Sequence, residues 1–271
     1  CRGELRITPP EPTPGHPETA PDLSCANCTE RFTHQGWGYD FSRNAPEDIV
    51  GVDPELRREQ YEIVQHGDWR DHAPAWSRLP ESLTTELNRH GSFYPQLEQH
   101  IAINSLPESG LCVDVGCATG RVTLDLWQAP SGQEGPILLG VDVNPFHLAA
   151  AHDRYRQLDL AEPDVVGGPC LFGRMDGQHL SLRDRSVDLL LAINVLDRVQ
   201  DPHAAVQEWH RVVRPGGHLT VALPFDWLPE TIGCPVDSIE KVVSSPGFHA
   251  TTEPEELMWL VSHPTNRRHI E

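Results

Sequence analysis

Leu111-Cys-Val-Asp-Val-Gly-Cys-Ala-Thr-Gly-Arg121 is an apolar run that breaks into small residues, and Gly140-Val-Asp-Val-Asn144 is a second apolar run that closes on an acid. The first reads as a buried strand, a Gly116-x-Ala118-x-Gly120 turn and the start of a helix. The second reads as a strand ending at Asp142, about twenty residues downstream. Together they predict a βαβ unit that cradles a nucleotide. The small residues let the backbone approach a ligand, and a carboxylate after the second strand can accept hydrogen bonds from both hydroxyls of a ribose. The spacing departs from the dinucleotide pattern G-x-G-x-x-G, and Asp114 precedes the turn.

VDVGCATG resembles the first motif of class I S-adenosylmethionine-dependent methyltransferases, [VL]-[LV]-D-[VL]-G-C-G-x-G, with Ala118 in place of the middle glycine. The resemblance implies a Rossmann-like α/β sheet with helices on both faces. It also implies a cofactor site drawn from Asp114, Gly116, Ala118, Gly120, Arg121, Asp142, Val143 and Asn144.

Working downstream, residues 145–158 read as a helix, 169–174 as a short strand, and Met175-Asp176-Gly177 as the loop at its end. In the resembling family that loop carries an acid facing the adenine amino group and an apolar neighbour against the ring. Asp176 and Met175 fit those roles, although an acid before Gly177 is equally a turn residue. Ser186–Ile193 is apolar enough to be a central strand buried on both faces. A helix over 203–213, a turn at Arg214-Pro-Gly-Gly217 and a strand over 218–223 continue the alternation.

Ligands of open parallel sheets bind beyond the carboxyl ends of the strands, which points to Asn194-Val-Leu-Asp197-Arg198 and Pro224-Phe225-Asp226-Trp227. The string N-x-L-D-R-x-x-[DQ]-P resembles that of the ovothiol-pathway methyltransferase domain and of the protein-histidine methyltransferases. VGCATGR and LPFDWLPET also resemble ovothiol-enzyme segments, so the likeness covers roughly residues 110–235. It implies transfer to an imidazole nitrogen, with Asn194 and Asp197 as catalytic residues. Asn194, Asp197, Arg198, Phe225 and Trp227 would hold the substrate, and Asn194 would also border the cofactor. Neutral imidazole is already nucleophilic, so such a site needs alignment and a fixed tautomer more than a strong base. The plain alternatives are a turn cap at Asn194, a solvated Asp197–Arg198 pair and core packing of Phe225 and Trp227.

The head of the chain carries Cys1, Cys25 and Cys28 and looks like a zinc ribbon with one knuckle cut in half. Paired thiolates make a structural tetrahedral site, and His16, His34 or a residue upstream of Cys1 would supply a fourth ligand. Otherwise the three thiols are inert. The remaining cysteines read as small semi-buried residues, and the total of seven argues against a complete disulfide framework. Six prolines within residues 8–22 predict an extended loop. Residues 36–80 are rich in aromatics, which either cap a pocket or cross-pack. A helix from about Pro80 to Ile103, interrupted at Gly91-Ser92, is predicted to lie over the cofactor mouth.

The chain is therefore expected to comprise a zinc-ribbon-like module (1–35), an aromatic-rich linker and helical cap (36–105), and an S-adenosylmethionine-binding methyltransferase domain (106–271). With 21 basic against 40 acidic residues the net charge is −19, which disfavours phosphate backbones and anionic membranes. This counts against an rRNA methyltransferase, a class that also pairs a ribbon with this fold. A non-catalytic, cofactor-binding partner subunit is the other alternative. The absence of a long apolar run or a cleavable signal suggests a soluble, cytoplasmic protein. Residues 254–263 read as an apolar helix-like run, and no obvious final strand follows Phe248. Either the chain continues or another element completes the sheet.

Overall fold

In the computed structural model the described residues are 5–8, 22–28, 30–32, 34–35, 38–42, 93–128, 135–161, 170–223, 239–244, 246–251, 260–262 and 268–270. Their centre is a six-stranded sheet in the order β4-β7-β6-β5-β8-β9. Its strands are β4 (Tyr39–Asp40), β5 (Leu111–Val115), β6 (Ile137–Asp142), β7 (Cys170–Arg174), β8 (Val187–Ile193) and β9 (Val213–Ala222). All five pairings are parallel. Chain order reverses between β5 and β8, so the crevice at their carboxyl ends is the switch point where such sheets bind ligands.

Alternation along the strands explains the layering. On one face Cys112, Leu138, Phe172, Leu189 and Leu191 pack with α1 (Phe93–Asn104), α2 (Arg121–Trp127) and α3 (Pro145–Ala161) through Leu97, Ile101, Leu124 and Leu148. On the other, Val113, Val115, Val141, Leu190 and Ala192 meet α4 (Pro202–Val212) and α5 (Ile239–Ser244) through Val206, Trp209, Val212 and Val242. β8 is buried almost throughout, as its unbroken apolar run requires. Helix α4 starts where Asp201 caps it by accepting from the Ala204 N–H at 3.0 Å, with Pro202 at its first position.

Two sequence expectations are corrected here, the turn at Arg214–Gly217 and the helix-like run within 254–263, and two others are made specific. Arg214–Gly217 is not a turn before the strand: the register passes from Val187↔Val213 to Leu189↔His218, so these residues are extruded as a bulge within β9. Gly216, at φ 78°, provides the left-handed residue, and Arg214 Nε donates to Asp188 opposite. Within 254–263, Leu260–Ser262 is a strand, β10, paired antiparallel with β11 (Arg268–Ile270) in a separate hairpin. The additional strand of the main sheet comes from the N-terminal side, because β4 pairs with β7 at the edge remote from β9. Finally, helix α1 begins at Phe93, and the predicted portion from Pro80 lies outside the described residues.

Gly38 permits the docking of β4. At φ 146° it lies so close to β7 that a Cβ would sit 2.1 Å from the Phe172 carbonyl oxygen. Phe41 then packs on Phe32 at 4.9 Å between ring centroids, and Arg174 Nη1 donates to Asp40 Oδ2 at 3.1 Å. The aromatics in this part of the 36–80 stretch are therefore cross-packed.

Ahead of β4 lies a three-stranded antiparallel sheet of β1 (Leu5–Thr8), β2 (Asp22–Cys25) and β3 (Arg31–Phe32). Cys25 ends β2, and Cys28 stands in the turn leading to β3. No helix among the described residues is long and apolar enough to cross a membrane.

Candidate active site

The β5–α2 turn is built from left-handed residues. Gly116 (φ 70°), Ala118 (φ 47°) and Gly120 (φ 75°) fold it tightly, and Gly120 serves as the N-cap of α2. A Cβ on Gly116 would lie 2.5 Å from Val195 Cγ2, and one on Gly120 would lie 2.9 Å from Ala151 Cβ. Both glycines are thus required by space as well as by backbone conformation. Ala118 adopts the turn that a glycine would take more easily, at the strain of a non-glycine left-handed residue.

Asp142, at the end of β6, is the clasp of this turn. Its Oδ2 accepts from the Ala118 N–H at 2.9 Å and its Oδ1 from the Asn144 N–H at 2.8 Å. Each oxygen retains further acceptor capacity, so the carboxylate can take ribose hydroxyls while it holds the loop. Asn144 has a local duty: its Oδ1 accepts from the Phe146 N–H at 3.0 Å and caps α3. The Val143 carbonyl accepts from Arg174 Nε at 2.8 Å.

Asp114 lies below the turn and accepts from Thr123 Oγ1 at 2.6 Å. Burial pushes its carboxyl up to about 7, against the opposing pull of Thr123 and with added repulsion from Asp142. Burial also holds the Cys112 and Cys170 thiols at about 12 and Cys117 well above its ordinary value, so these are packing groups rather than nucleophiles.

After β7, Met175 is buried and its N–H donates to the Asp142 carbonyl at 3.2 Å. Asp176 makes the turn that its sequence context allows, with Oδ1 accepting from the Gln178 N–H at 2.9 Å. Its other oxygen lies 3.2 Å from His179 Nδ1. Trp209 Nε1 donates to the Gly177 carbonyl at 2.9 Å, anchoring the loop to α4.

At the end of β8, Asn194 is left-handed at φ 54°, and its N–H donates to the Ala222 carbonyl at 2.8 Å. Its Nδ2 is buried without a hydrogen-bond partner. Asp197, in the 3₁₀ turn Leu196–Arg198, is 0% exposed, with Arg198 Nε 3.5 Å from its Oδ2. A solvated Asp197–Arg198 pair is therefore excluded by burial of the acid. Arg121 heads α2 between Glu98 and Asp125, each at 3.8 Å, and lies over the ring of Tyr94 at 4.0 Å. Tyr94, on α1, escaped the sequence reading. Its only signal was an aromatic at the start of a helix expected to cover the cofactor mouth.

The structure brings the βαβ residues and Asn194 together around the switch point. Phe225, Trp227 and Cys1 lie outside the described residues. His34 packs edge-on against Tyr39 at 5.1 Å between ring centroids, and lies 6.3 Å from the His152 ring. Among the described residues no three His, Cys, Asp or Glu side chains gather as a metal site.

Residues 113–221 match the family model described as a methyltransferase domain. The chain is 28% identical over 182 residues to methyltransferase GfsG of Streptomyces halstedii, covering 67% of this chain and 58% of that protein. It is 31% identical over 145 residues to malonyl-[acyl-carrier protein] O-methyltransferase of Yersinia pestis, covering 54% and 47% respectively. A solved S-adenosylmethionine-dependent methyltransferase from Methanosarcina mazei is 26% identical with a TM-score of 0.39, covering 48% of this chain and 57% of that one. The chain spans about half the length of the curated relatives it matches.

The stretch that matches the methyltransferase domain, residues 113–221, runs from β5 to β9 of the parallel sheet. The residues present are compatible with S-adenosylmethionine: the Gly116 and Gly120 positions exclude any side chain, and Asp142 stands buried at the carboxyl end of β6.

Proposed function

We propose that the protein transfers a methyl group from S-adenosylmethionine to an imidazole nitrogen of histidine or a histidine derivative, with a thiohistidine-like small molecule favoured over a peptidyl histidine. The observation that carries this reading is the Asn194-x-x-Asp197 pair at the switch point: a left-handed asparagine with an unpartnered buried amide, followed by a fully buried acid. The sequence likeness over residues 110–235 supplies the acceptor class.

S-adenosylmethionine supplies an electrophilic methyl on a positively charged sulfur. The imidazole lone pair forms the new N–C bond, and the electron pair of the broken S–C bond remains on sulfur as a neutral thioether. The resulting imidazolium then releases its proton. Asp197 is assigned the ring nitrogen remote from the methyl: it accepts that N–H, fixes the tautomer and balances the developing charge. Asn194 holds the acceptor in line, and Asp142 and the glycine turn hold the adenosine end.

Methyl transfer followed by mass spectrometry tests this, using histidine, its thio-derivatives, histidine peptides and rRNA. A methylated imidazole is the expected product, with Asn194→Ala and Asp197→Ala lowering kcat by at least ~100-fold while leaving S-adenosylhomocysteine affinity nearly unchanged. Full activity in both variants would remove the imidazole assignment. Methylated RNA instead would favour the ribbon-bearing alternative, and cofactor binding with no product from any acceptor would favour a partner subunit.

The name of the Yersinia pestis relative supports a second reading, transfer to oxygen, and carboxylate and hydroxyl acceptors belong in the same assay. A hydroxyl acceptor would need a general base, whereas neutral imidazole does not.

A structural zinc at Cys1, Cys25 and Cys28 is a separate proposal, supported by the placement of Cys25 and Cys28 at one hairpin turn of a small antiparallel sheet. Elemental analysis should find zinc in proportion to protein, lost in Cys25→Ser. Metal-free folded protein would retire it.

A further inference from the structure

Between Asp142 and Asn144 the backbone is held at both of its peptide planes. The Asp142 carbonyl accepts from the Met175 N–H at 3.2 Å, and the Val143 carbonyl accepts from Arg174 Nε at 2.8 Å. The second plane also carries the Asn144 N–H, which donates to Asp142 Oδ1 at 2.8 Å. Arg174 and the Asp142 carboxylate therefore grip opposite edges of one amide. Because a peptide bond does not twist freely, the group that holds the oxygen fixes where the N–H points, and with it the carboxylate that accepts from it. A guanidinium on the carbonyl also polarises the amide and strengthens its N–H as a donor.

Arg174 is itself set from the edge of the sheet. Its Nη1 donates to Asp40 Oδ2 at 3.1 Å, across 134 residues of chain. Asp40 Oδ1 accepts from the Ser42 N–H at 2.9 Å and from the Ser42 hydroxyl, so the acid has one settled orientation. Parallel pairing places Asp40 opposite Arg174, and the Phe41 N–H donates to the Arg174 carbonyl at 3.0 Å. The Arg174 side chain is 17% exposed, and its fork spends one nitrogen on each acceptor, a geometry that a single amine could not reproduce.

We infer that Arg174 is a positioning residue for the cofactor: through the Val143–Asn144 peptide it sets the Asp142 carboxylate for the ribose hydroxyls, and Asp40 holds its guanidinium to that task. The inference rests on the assignment of Asp142 to the ribose and is independent of the methyl acceptor. It gives the N-terminal strand β4 a part in cofactor affinity.

The test is calorimetric titration of the full chain with S-adenosylhomocysteine and with its 2′,3′-dideoxy analogue, which lacks both ribose hydroxyls. Wild type, Arg174→Met, Asp40→Ala and the double variant are compared, with Tm measured on each. Arg174→Met should raise Kd for S-adenosylhomocysteine about tenfold, and Asp40→Ala about threefold. The double variant should match Arg174→Met alone, because Asp40 acts through the guanidinium. The dideoxy analogue should bind all four proteins equally. A role in folding alone would lower Tm and weaken both ligands alike; that result, or an unchanged Kd in Arg174→Met, would overturn the inference. Should Arg174→Met fail to fold, Asp40→Ala decides: loss confined to S-adenosylhomocysteine upholds the inference, and equal loss for both ligands overturns it. If wild type itself does not distinguish the two ligands, the ribose assignment of Asp142 falls and the inference falls with it.

Discussion

At the residue scale, the turn between β5 and α2 depends on what is missing from Gly116 as much as on what Asp142 contributes. Gly116→Ala places a Cβ against Val195 in a left-handed backbone, and should destabilise the protein by roughly 1–3 kcal/mol, measured by denaturant unfolding. Val195→Ala in the same chain should recover part of the loss, because one of the two penalties is steric. Asp142→Ala removes the clasp of the turn and, on the proposed function, a ribose partner as well. It should weaken S-adenosylhomocysteine binding by roughly 1–3 kcal/mol in calorimetry and also lower Tm, since the Ala118 and Asn144 N–H groups lose their acceptor. Unchanged affinity would take Asp142 out of the cofactor site.

At the element scale, α4 and β4 settle how the loops at the switch point are held. Trp209 fills the space between α4 and the sheet and ties the 175–179 loop through Gly177. Trp209→Ala should cost about 3–5 kcal/mol and should loosen Met175 and Asp176 along with the helix, detectable as faster amide exchange in that loop. β4 reaches the same region from the opposite side of the sheet. Asp40 binds Arg174, and Arg174 holds the carbonyl of Val143 immediately after Asp142. Residues far upstream thereby brace the end of the β6 strand.

At the scale of the whole molecule, the buried Asp114 makes stability depend on pH. Its folded value of about 7 exceeds the ordinary 3.8, so its contribution is fully present below about pH 4 and is lost as pH rises through about 7. That interval corresponds to at most roughly 4 kcal/mol. Asp114→Asn should flatten the pH dependence of unfolding free energy across this window. An unaltered slope would place the charge elsewhere. The surplus of acidic residues, 40 against 21 basic, adds self-repulsion that salt screens, a separate effect distinguishable by ionic strength.

The sequence by itself determined the βαβ unit, the central strand β8 and the glycine turn after β5. Period-two apolar runs, small residues and helix caps are local signals whose meaning depends little on distant parts of the chain. Local too was the ambiguity at Asp176, which does make a turn, and at Arg214–Gly217, whose four residues read as a stop until pairing with β8 drew them into a bulge. Tertiary structure decided what required distant segments to meet. It placed Tyr39–Asp40 beside β7, buried Asp197, set Arg121 over Tyr94 and drew His34 onto Tyr39. The physical reason is that burial and pairing are properties of neighbours: a carboxylate, an amide or a tyrosine is the same in any sequence, and becomes a site when the fold removes water and supplies partners around it.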